Sequence, residues 1–267
     1  MSKGVLCDIT KCIGCRACQV ACKQWNGLPA VTTTNGGTYE NPPKMDAYTY
    51  TRIHFTETEY NKKFHWVFNK LQCMHCERPG CVEACIVGAL QKTADGAVTY
   101  DEGKCIGCRY CQVACPFGIP NFEWDKPMPW IRKCTFCTNR QGSGLEPACV
   151  TGCLSGALTF GERNKLIAEA RKRIAAAPGG YVDHIYGEKE VGGTSWMYLS
   201  PVPFEMLGLP TLGSESVTFN AARTMGLIPG VLVGVAATMT GIYWFNKRRH
   251  EVSKAAADEK EKSEVTK

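Results

Sequence analysis

Residues 105–116 read CIGCRYCQVACP. Two residues separate each of the first three cysteines, three residues precede the fourth, and a proline follows at once. This is the C-x2-C-x2-C-x3-C-P spacing of bacterial iron–sulfur sites. Because one short loop with this spacing delivers several thiolates to a metal centre, the stretch predicts iron–sulfur ligation.

A second copy of this motif lies near the amino terminus. Residues 12–23 read CIGCRACQVACK and match the first stretch at ten of twelve positions, differing only at Ala17/Tyr110 and Lys23/Pro116. Such self-similarity is the signature of a duplicated structural unit. The sequence therefore predicts duplicated ferredoxin-like modules.

The chain of 267 residues has seventeen cysteines, and all but one fall into groups of four. The groups are Cys12, Cys15, Cys18 and Cys22; Cys73, Cys76, Cys81 and Cys85; Cys105, Cys108, Cys111 and Cys115; Cys134, Cys137, Cys149 and Cys153. Thiolate quartets are typical of [4Fe–4S] clusters, so we predict four clusters with these cysteines as the iron ligands. Cys7 is left over and is predicted to be a small buried residue.

Other uses of cysteine fit this spacing poorly. Disulfides need no local clustering, and zinc sites combine separated C-x2-C pairs into one tetrahedral centre. A C-x2-C-x2-C triplet instead fits three corners of an iron–sulfur cube, with the fourth ligand arriving from elsewhere. A structural zinc scaffold and a free ferredoxin-like carrier are the alternatives from other classes.

Motifs of catalysis are missing from the sequence. It has no P-loop, no G-x-G-x-x-G loop and no H-E-x-x-H site, and we predict no catalytic residues. His75, inside the CMHC motif, is the histidine nearest a predicted cluster. A hydrogen-bonded or surface histidine is favoured there over one that tunes a cluster potential or shuttles a proton. These features favour an electron relay over an enzyme.

The formal net charge of +6 counts every cysteine as neutral. A four-thiolate cluster carries about −2 when oxidised, so four would add roughly −8 and leave the loaded protein mildly acidic. The basic excess therefore compensates cluster charge, and we predict no nucleic-acid partner.

The predicted fold is α+β, with two ferredoxin-like dicluster domains, loop insertions and one C-terminal transmembrane helix. β-branched and aromatic residues predict a hairpin from the runs 47–55 and 64–69, and an amphipathic helix follows Gly161. The predicted boundaries are 1–25 with 130–180 for the first dicluster domain, 26–69 for the loop and hairpin insertion, 70–129 for the second dicluster domain, 181–222 for an extended strap, 223–246 for the transmembrane helix and 247–267 for a charged tail.

Residues 224–245 form an uncharged, largely apolar run that is long enough to cross a bilayer core of about 30 Å. On its amino-terminal side the only nearby basic residue is Arg223. Four basic residues follow it closely, namely Lys247, Arg248, Arg249 and Lys254. By the positive-inside rule we expect a single span with a cytoplasmic tail and the cysteine-rich body on the opposite face of the membrane. The tail's charge and low apolar content predict disorder.

With these residues in view, the chain resembles the iron–sulfur (beta) subunit of membrane-bound respiratory formate dehydrogenases, within the electron-transfer subunits of the molybdopterin oxidoreductase family. The matching stretches are CIGCRACQVACKQWN, RIHFTETE, CMHCERPGC, CIGCRYCQVACPFGIP, KCTFC, EPACVTGC and VGGTSWMYL followed by GLP. The resemblance implies electron transfer from a molybdenum- or tungsten-bis-pterin catalytic subunit to a membrane cytochrome b and quinone, in a complex of undetermined oligomeric state.

The stretches YGEKEVGG and SPVPFEMLGLP are also similar to the iron–sulfur subunit of periplasmic nickel–iron uptake hydrogenases. That subunit usually carries its own twin-arginine signal, which this sequence lacks. The resemblance therefore favours formate over hydrogen as the electron source and keeps the hydrogenase subunit as the alternative.

The resemblance also implies which cysteines share a cluster, because the family pairs the first group with the fourth and the second with the third. The implied sets are Cys12, Cys15, Cys18 and Cys153; Cys134, Cys137, Cys149 and Cys22; Cys73, Cys76, Cys81 and Cys115; Cys105, Cys108, Cys111 and Cys85. The proline often found after the last cysteine is replaced by Ile86 and Leu154 in two of the groups.

Overall fold

The computed structural model describes residues 2–32 and 36–265. Residues 33–35 of the predicted insertion and 266–267 of the predicted tail lie outside the described residues. The chain divides into a body that ends at Val217 and a C-terminal unit that begins at Thr218. The mixed architecture confirms the predicted α+β class.

The body is built from short elements connected by cysteine-bearing loops. Its strands are β1 (Lys3–Asp8), β2 (Thr51–Tyr60), β3 (Lys63–Gln72), β4 (Leu90–Lys92), β5 (Val98–Tyr100), β6 (Asn121–Phe122), β7 (Ile131–Arg132), β8 (Leu158–Glu162) and β9 (Trp196–Leu199). Its helices are α1 (Ala17–Trp25), α2 (Gly80–Glu83), α3 (Tyr110–Val113), α4 (Thr138–Gly142), α5 (Ala148–Thr151) and α6 (Arg163–Ala176).

A three-stranded sheet in the order β8-β1-β9 forms the centre of the body. β1 pairs antiparallel with β8 and parallel with β9. Side chains alternate between its two faces: Leu6 and Met197 pack with α6, whereas Val5 and Trp196 belong to the larger cluster that contains cysteine-loop residues. Both faces are therefore buried.

The predicted strap over 181–222 is wrong for most of its length. Strand β9 lies inside this segment, and all four of its side chains, Trp196 to Leu199, are fully buried. A strand that is buried on both faces shows no polar–apolar alternation, which is why the sequence of this segment showed no period. Residues 185–209 of this segment contribute to the core of the body.

Leu199→Ala tests this role of β9. Removing a buried leucine side chain costs about 2–5 kcal/mol, so we expect the holoprotein to lose its cluster absorbance at least about 5 °C lower in an anaerobic thermal scan. Leu145→Ala, at a half-exposed position, serves as the matched control. An unshifted transition in Leu199→Ala would restore the strap interpretation.

The hairpin and the amphipathic helix agree with the sequence. β2 and β3 pair antiparallel in full register around a two-residue turn, where Asn61 and Lys62 adopt positive φ as a type I′ turn requires. Residues 56–63, between the two predicted runs, belong to the strands except at this turn. In α6, Leu166 and Ala170 are buried against the central sheet.

The C-terminal unit contains one helix, α7 (Phe219–Val265). Its apolar part lies within a candidate membrane span of 35 residues, from Arg223 to Ala257, with no buried residues. The helix continues through the charged tail, so the predicted disorder is wrong up to Val265. The tail is rich in Ala, Glu and Lys, which are strong helix formers, and extending an existing helix avoids the cost of nucleation.

Candidate metal centres

The two copies of the repeat fold in the same way. Asp8 is the last residue of β1, and Asp101 directly follows β5. Each accepts a hydrogen bond from the backbone amide two residues on, at 3.2 and 3.0 Å, which caps a short 3-10 turn. The first cysteine of each group follows this turn. The loop then passes through Gly14, whose φ is +66° and whose added Cβ would lie 3.1 Å from the Phe68 ring.

An arginine then adopts the left-handed conformation immediately before the helix in both copies. Arg16 lies over the Phe55 ring at 4.9 Å, and Arg109 lies over Trp124 at 4.5 Å. Cation–π contacts of this kind favour a fixed guanidinium position. Neither pair is evident from the sequence, where the only signal is the arginine shared by the two copies.

The structure brings the predicted cysteines together inside the body. All seventeen are free thiols; Cys15 and Cys108 are exposed, and the others are buried or partly buried. Cys7, at 1% exposure, is buried as predicted. In the described part of the chain no three His, Cys, Asp or Glu side chains are arranged to hold a single metal ion. The electrostatic effects of the thiols on one another indicate which of them lie close together.

The first quartet joins the start of the chain to the loop after α5. Burial raises the pKa of Cys12, and the thiolates of Cys153 and Cys15 raise it further. Burial raises the pKa of Cys18 to about 12, with repulsion from Cys12 and Cys153 among the smaller causes. These four thiols and that of Cys7 line one small cavity.

The second quartet lies beside the first. Burial raises the pKa of Cys22 to about 12, and the thiolates of Cys149 and Cys137 raise it further. The pKa of Cys134 lies well above its ordinary value because of burial and because of repulsion from Cys22, Cys73 and Cys149.

The third and fourth quartets are formed by the cysteines from Cys73 to Cys115. Burial raises the pKa of Cys76 well above its ordinary value, with repulsion from the other three thiols of its set: Cys73, Cys115 and Cys81. Burial raises the pKa of Cys111 to about 11, again with repulsion from the other three thiols of its set: Cys105, Cys108 and Cys85. The fourth cysteine of each sequence group thus lies with a different group.

Three interactions between quartets give their spatial order. Cys18 of the first quartet is repelled by Cys149 of the second. Cys134 of the second is repelled by Cys73 of the third, and Cys81 of the third by Cys111 of the fourth. The quartets therefore form a series in which the first and the fourth are the ends.

The surroundings of the thiols fit anionic iron–sulfur groups. Sulfur-only donors are soft ligands suited to such clusters, and the buried Lys70 and Lys133 supply positive charge. Two buried N–H groups, His75 Nε2 and Trp196 Nε1, have no partner among the described residues. Both are donors that could serve an acceptor such as cluster sulfur.

His75 is a fully buried residue rather than a surface one. The Val98 amide donates to its Nδ1 at 2.9 Å, which assigns the ring proton to Nε2. Burial and the nearby charges of Lys133, Lys92 and Lys70 hold its pKa well below the ordinary value. The imidazole is therefore neutral, and it packs on Phe136 with 4.8 Å between ring centroids.

Two family models match the chain, and both are described as a 4Fe-4S dicluster domain. One covers residues 64–163 and the other residues 11–89. Together they include all four cysteine groups, and they overlap on the second group.

Similar proteins extend the match beyond these domains. The chain is 42% identical to the nitrate-inducible formate dehydrogenase iron-sulfur subunit of Escherichia coli K12, over 89% of this chain and 82% of that protein. It is 44% identical to a protein of Nitratidesulfovibrio vulgaris over 94% of this chain and 69% of the relative. It is also 36% identical to the hydrogenase-2 operon protein HybA of E. coli O157:H7, over 88% and 83%.

Proposed function

This chain belongs to the family of the formate dehydrogenase iron–sulfur subunits, which are non-catalytic electron-transfer subunits, and we propose that it relays electrons through four [4Fe–4S] clusters. The electrons come from formate oxidation in a molybdenum- or tungsten-bis-pterin partner and pass to a membrane cytochrome b and quinone. When bound, the clusters supply reversible one-electron chemistry; the chain itself positions and insulates them.

The observation that carries this proposal is the series of four quartets with access at its two ends. The two exposed cysteines, Cys15 and Cys108, belong to the first and the fourth quartet. Every cysteine of the two middle quartets is buried or partly buried. An electron can therefore enter at one end and leave at the other, while the middle of the series stays shielded from solvent.

Apolar side chains surround both ends in matching positions. Near the first quartet they are Ile13, Val20 and Leu154, and near the fourth they are Ile106, Val113 and Ile86, each more than 60% exposed. Exposed apolar groups of this kind are typical of protein interfaces. They support two redox partners, one at each end of the relay.

The proposed ligand sets follow the thiol neighbourhoods. They are Cys12, Cys15, Cys18 and Cys153; Cys134, Cys137, Cys149 and Cys22; Cys73, Cys76, Cys81 and Cys115; Cys105, Cys108, Cys111 and Cys85. In this scheme Cys115 ligates the cluster of the Cys73 group although it follows Cys105 in the chain. An experimental structure with Cys115 and Cys105 on one cube would overturn the interleaved assignment.

We propose further that α7 anchors the chain by a single span in a bacterial inner membrane, with the body in the periplasm and the tail in the cytoplasm. The uncharged run in α7 and the basic residues that follow it support this orientation.

A second candidate is an iron–sulfur subunit that accepts electrons from a nickel–iron hydrogenase. It is favoured by the similarity to HybA and by the stretches YGEKEVGG and SPVPFEMLGLP. Purification of the native complex distinguishes the two: a large pterin-binding chain with molybdenum or tungsten supports formate, whereas a nickel-containing chain supports hydrogen.

Metal analysis tests the number of clusters. After anaerobic purification we expect about sixteen iron and sixteen sulfide per chain, because cubane clusters with four cysteine ligands each hold four of both. Half that iron content would contradict four clusters. Stoichiometric zinc without visible charge-transfer absorbance would instead support the structural zinc scaffold.

A further inference from the structure

Lys70 places a buried positive charge next to the first two quartets. The side chain is on β3, and the residue is only 2% exposed. Its Nζ donates to Gln72 Oε1 at 2.9 Å and lies 4.3 Å from the centre of the Trp196 ring. Lys70 also lines the small cavity of the first quartet. A buried ammonium is costly unless an opposite charge balances it.

The cysteines of the two quartets are the groups placed to balance this charge once they ligate anionic clusters. Those with the largest electrostatic interactions with the Lys70 ammonium are Cys149, Cys18, Cys134 and Cys22. The ion pairs of the described residues include none between Lys70 and a carboxylate. Cys18 belongs to the first quartet and the other three to the second, so one cation serves both.

The other partly or fully buried lysines near the cysteines are placed differently. Lys92 is paired with Glu77 at 3.4 Å, and it interacts with Cys76 and Cys73 of the third quartet. Lys133 donates to the backbone carbonyl oxygens of Val98 and Cys134. Lys70 is thus distinguished by the combination of full burial and thiolate neighbours from two quartets.

We propose that Lys70 is a positioning residue for electron transfer, whose fixed charge raises the reduction potentials of the clusters at the first two quartets. This inference rests on the cluster assignment of the proposed function. Reduction adds one electron, supplied by the catalytic partner, and one negative charge to a cluster. A cation held in a poorly polarisable interior stabilises that added charge more than it would in water.

The test is a potentiometric titration of the anaerobic complex, with the clusters followed by electron paramagnetic resonance. In Lys70→Met we expect the reduction equilibrium constants of two clusters to fall at least tenfold, which is 59 mV for a one-electron couple, while the other two stay unchanged. Lys70→Arg keeps the charge and should restore both potentials. Lys92→Met is the matched control, and the clusters of the first two quartets should keep their wild-type potentials in it.

Each other outcome is decisive. Unmoved potentials in a fully iron-loaded Lys70→Met protein would overturn the role of Lys70 but leave the relay intact, whereas wild-type protein without four reducible clusters would overturn the relay itself. If Lys70→Met loses iron, Lys70→Gln replaces it. Both Lys70→Met and Lys70→Gln could lose iron while Lys70→Arg keeps its iron and its wild-type reduction potentials. In that case the cation is needed for cluster assembly rather than for tuning the potentials, and the inference would also be overturned.

Discussion

Serine in place of Cys149 is expected to remove one cluster and stop electron flow through the chain. Cys149 is 7% exposed and is a neighbour of thiols in both the first and the second quartet. A serine oxygen is a harder ligand than a thiolate and suits iron–sulfur clusters poorly. We expect roughly four of sixteen irons to be lost, together with quinone reduction, while dye-linked oxidation by the catalytic partner persists.

Cys7→Ala provides the matched control. Cys7 is as buried as the ligands and lies in β1 close to Cys12 and Cys18, yet it is outside every proposed quartet. Its replacement should leave the iron content and quinone reduction unchanged. Equal iron loss in the two variants would show that any buried cysteine is needed for packing, and loss of the partner's own dye-linked chemistry in Cys149→Ser would argue for a catalytic role of this chain.

Ending the chain after Val217 is expected to release the body from the membrane. The truncation removes α7, which contains the apolar run that we propose as the anchor, and it follows the boundary between the two units. Produced without partner subunits, the shortened protein should appear in the soluble fraction with about sixteen irons, as cysteine-only cubane ligation requires, whereas the full chain should need detergent for extraction.

A chain that ends after Val252 is the control for this experiment. It keeps the apolar run and three of the four basic residues that follow it, Lys247, Arg248 and Arg249, but lacks Lys254 and the charged end of α7. This variant should stay in the membrane fraction after a carbonate wash. If the chain ending at Val217 also required detergent, the body itself would carry the membrane affinity and the proposed anchor would be wrong.

The cysteine groups could be found in the sequence because ligand spacing is a local property. The hairpin was equally accessible, since its two runs of β-branched and aromatic residues lie next to each other. The parallel pairing of β1 with β9 could not be predicted in the same way: the partners Val5 and Trp196 are far apart in the chain, and neither strand shows an alternating pattern.

The surroundings of the cysteines could not be predicted from local sequence patterns either. Lys70 follows an apolar run directly before the second cysteine group, which is a weak signal for an inward-facing charge. The contact of its ammonium with Trp196 depends on β9, whose place in the core the sequence did not reveal. The membership of the cysteine sets likewise required the family resemblance, because spacing alone does not tell which group supplies each fourth thiol.

The central sheet also constrains the order in which the molecule can mature. β1 is the first strand to leave the ribosome, but its partners β8 and β9 are among the last elements of the body. Until residues 158–162 have been made, β1 lacks any strand neighbour, and its second neighbour arrives only with residues 196–199. Such long-range pairing forms slowly. The loops that carry the first and fourth cysteine groups therefore reach their native conformation late, whereas the loops between β3 and β6 can fold earlier. Iron–sulfur clusters would then be inserted at the first two quartets later than at the third and fourth during one round of synthesis.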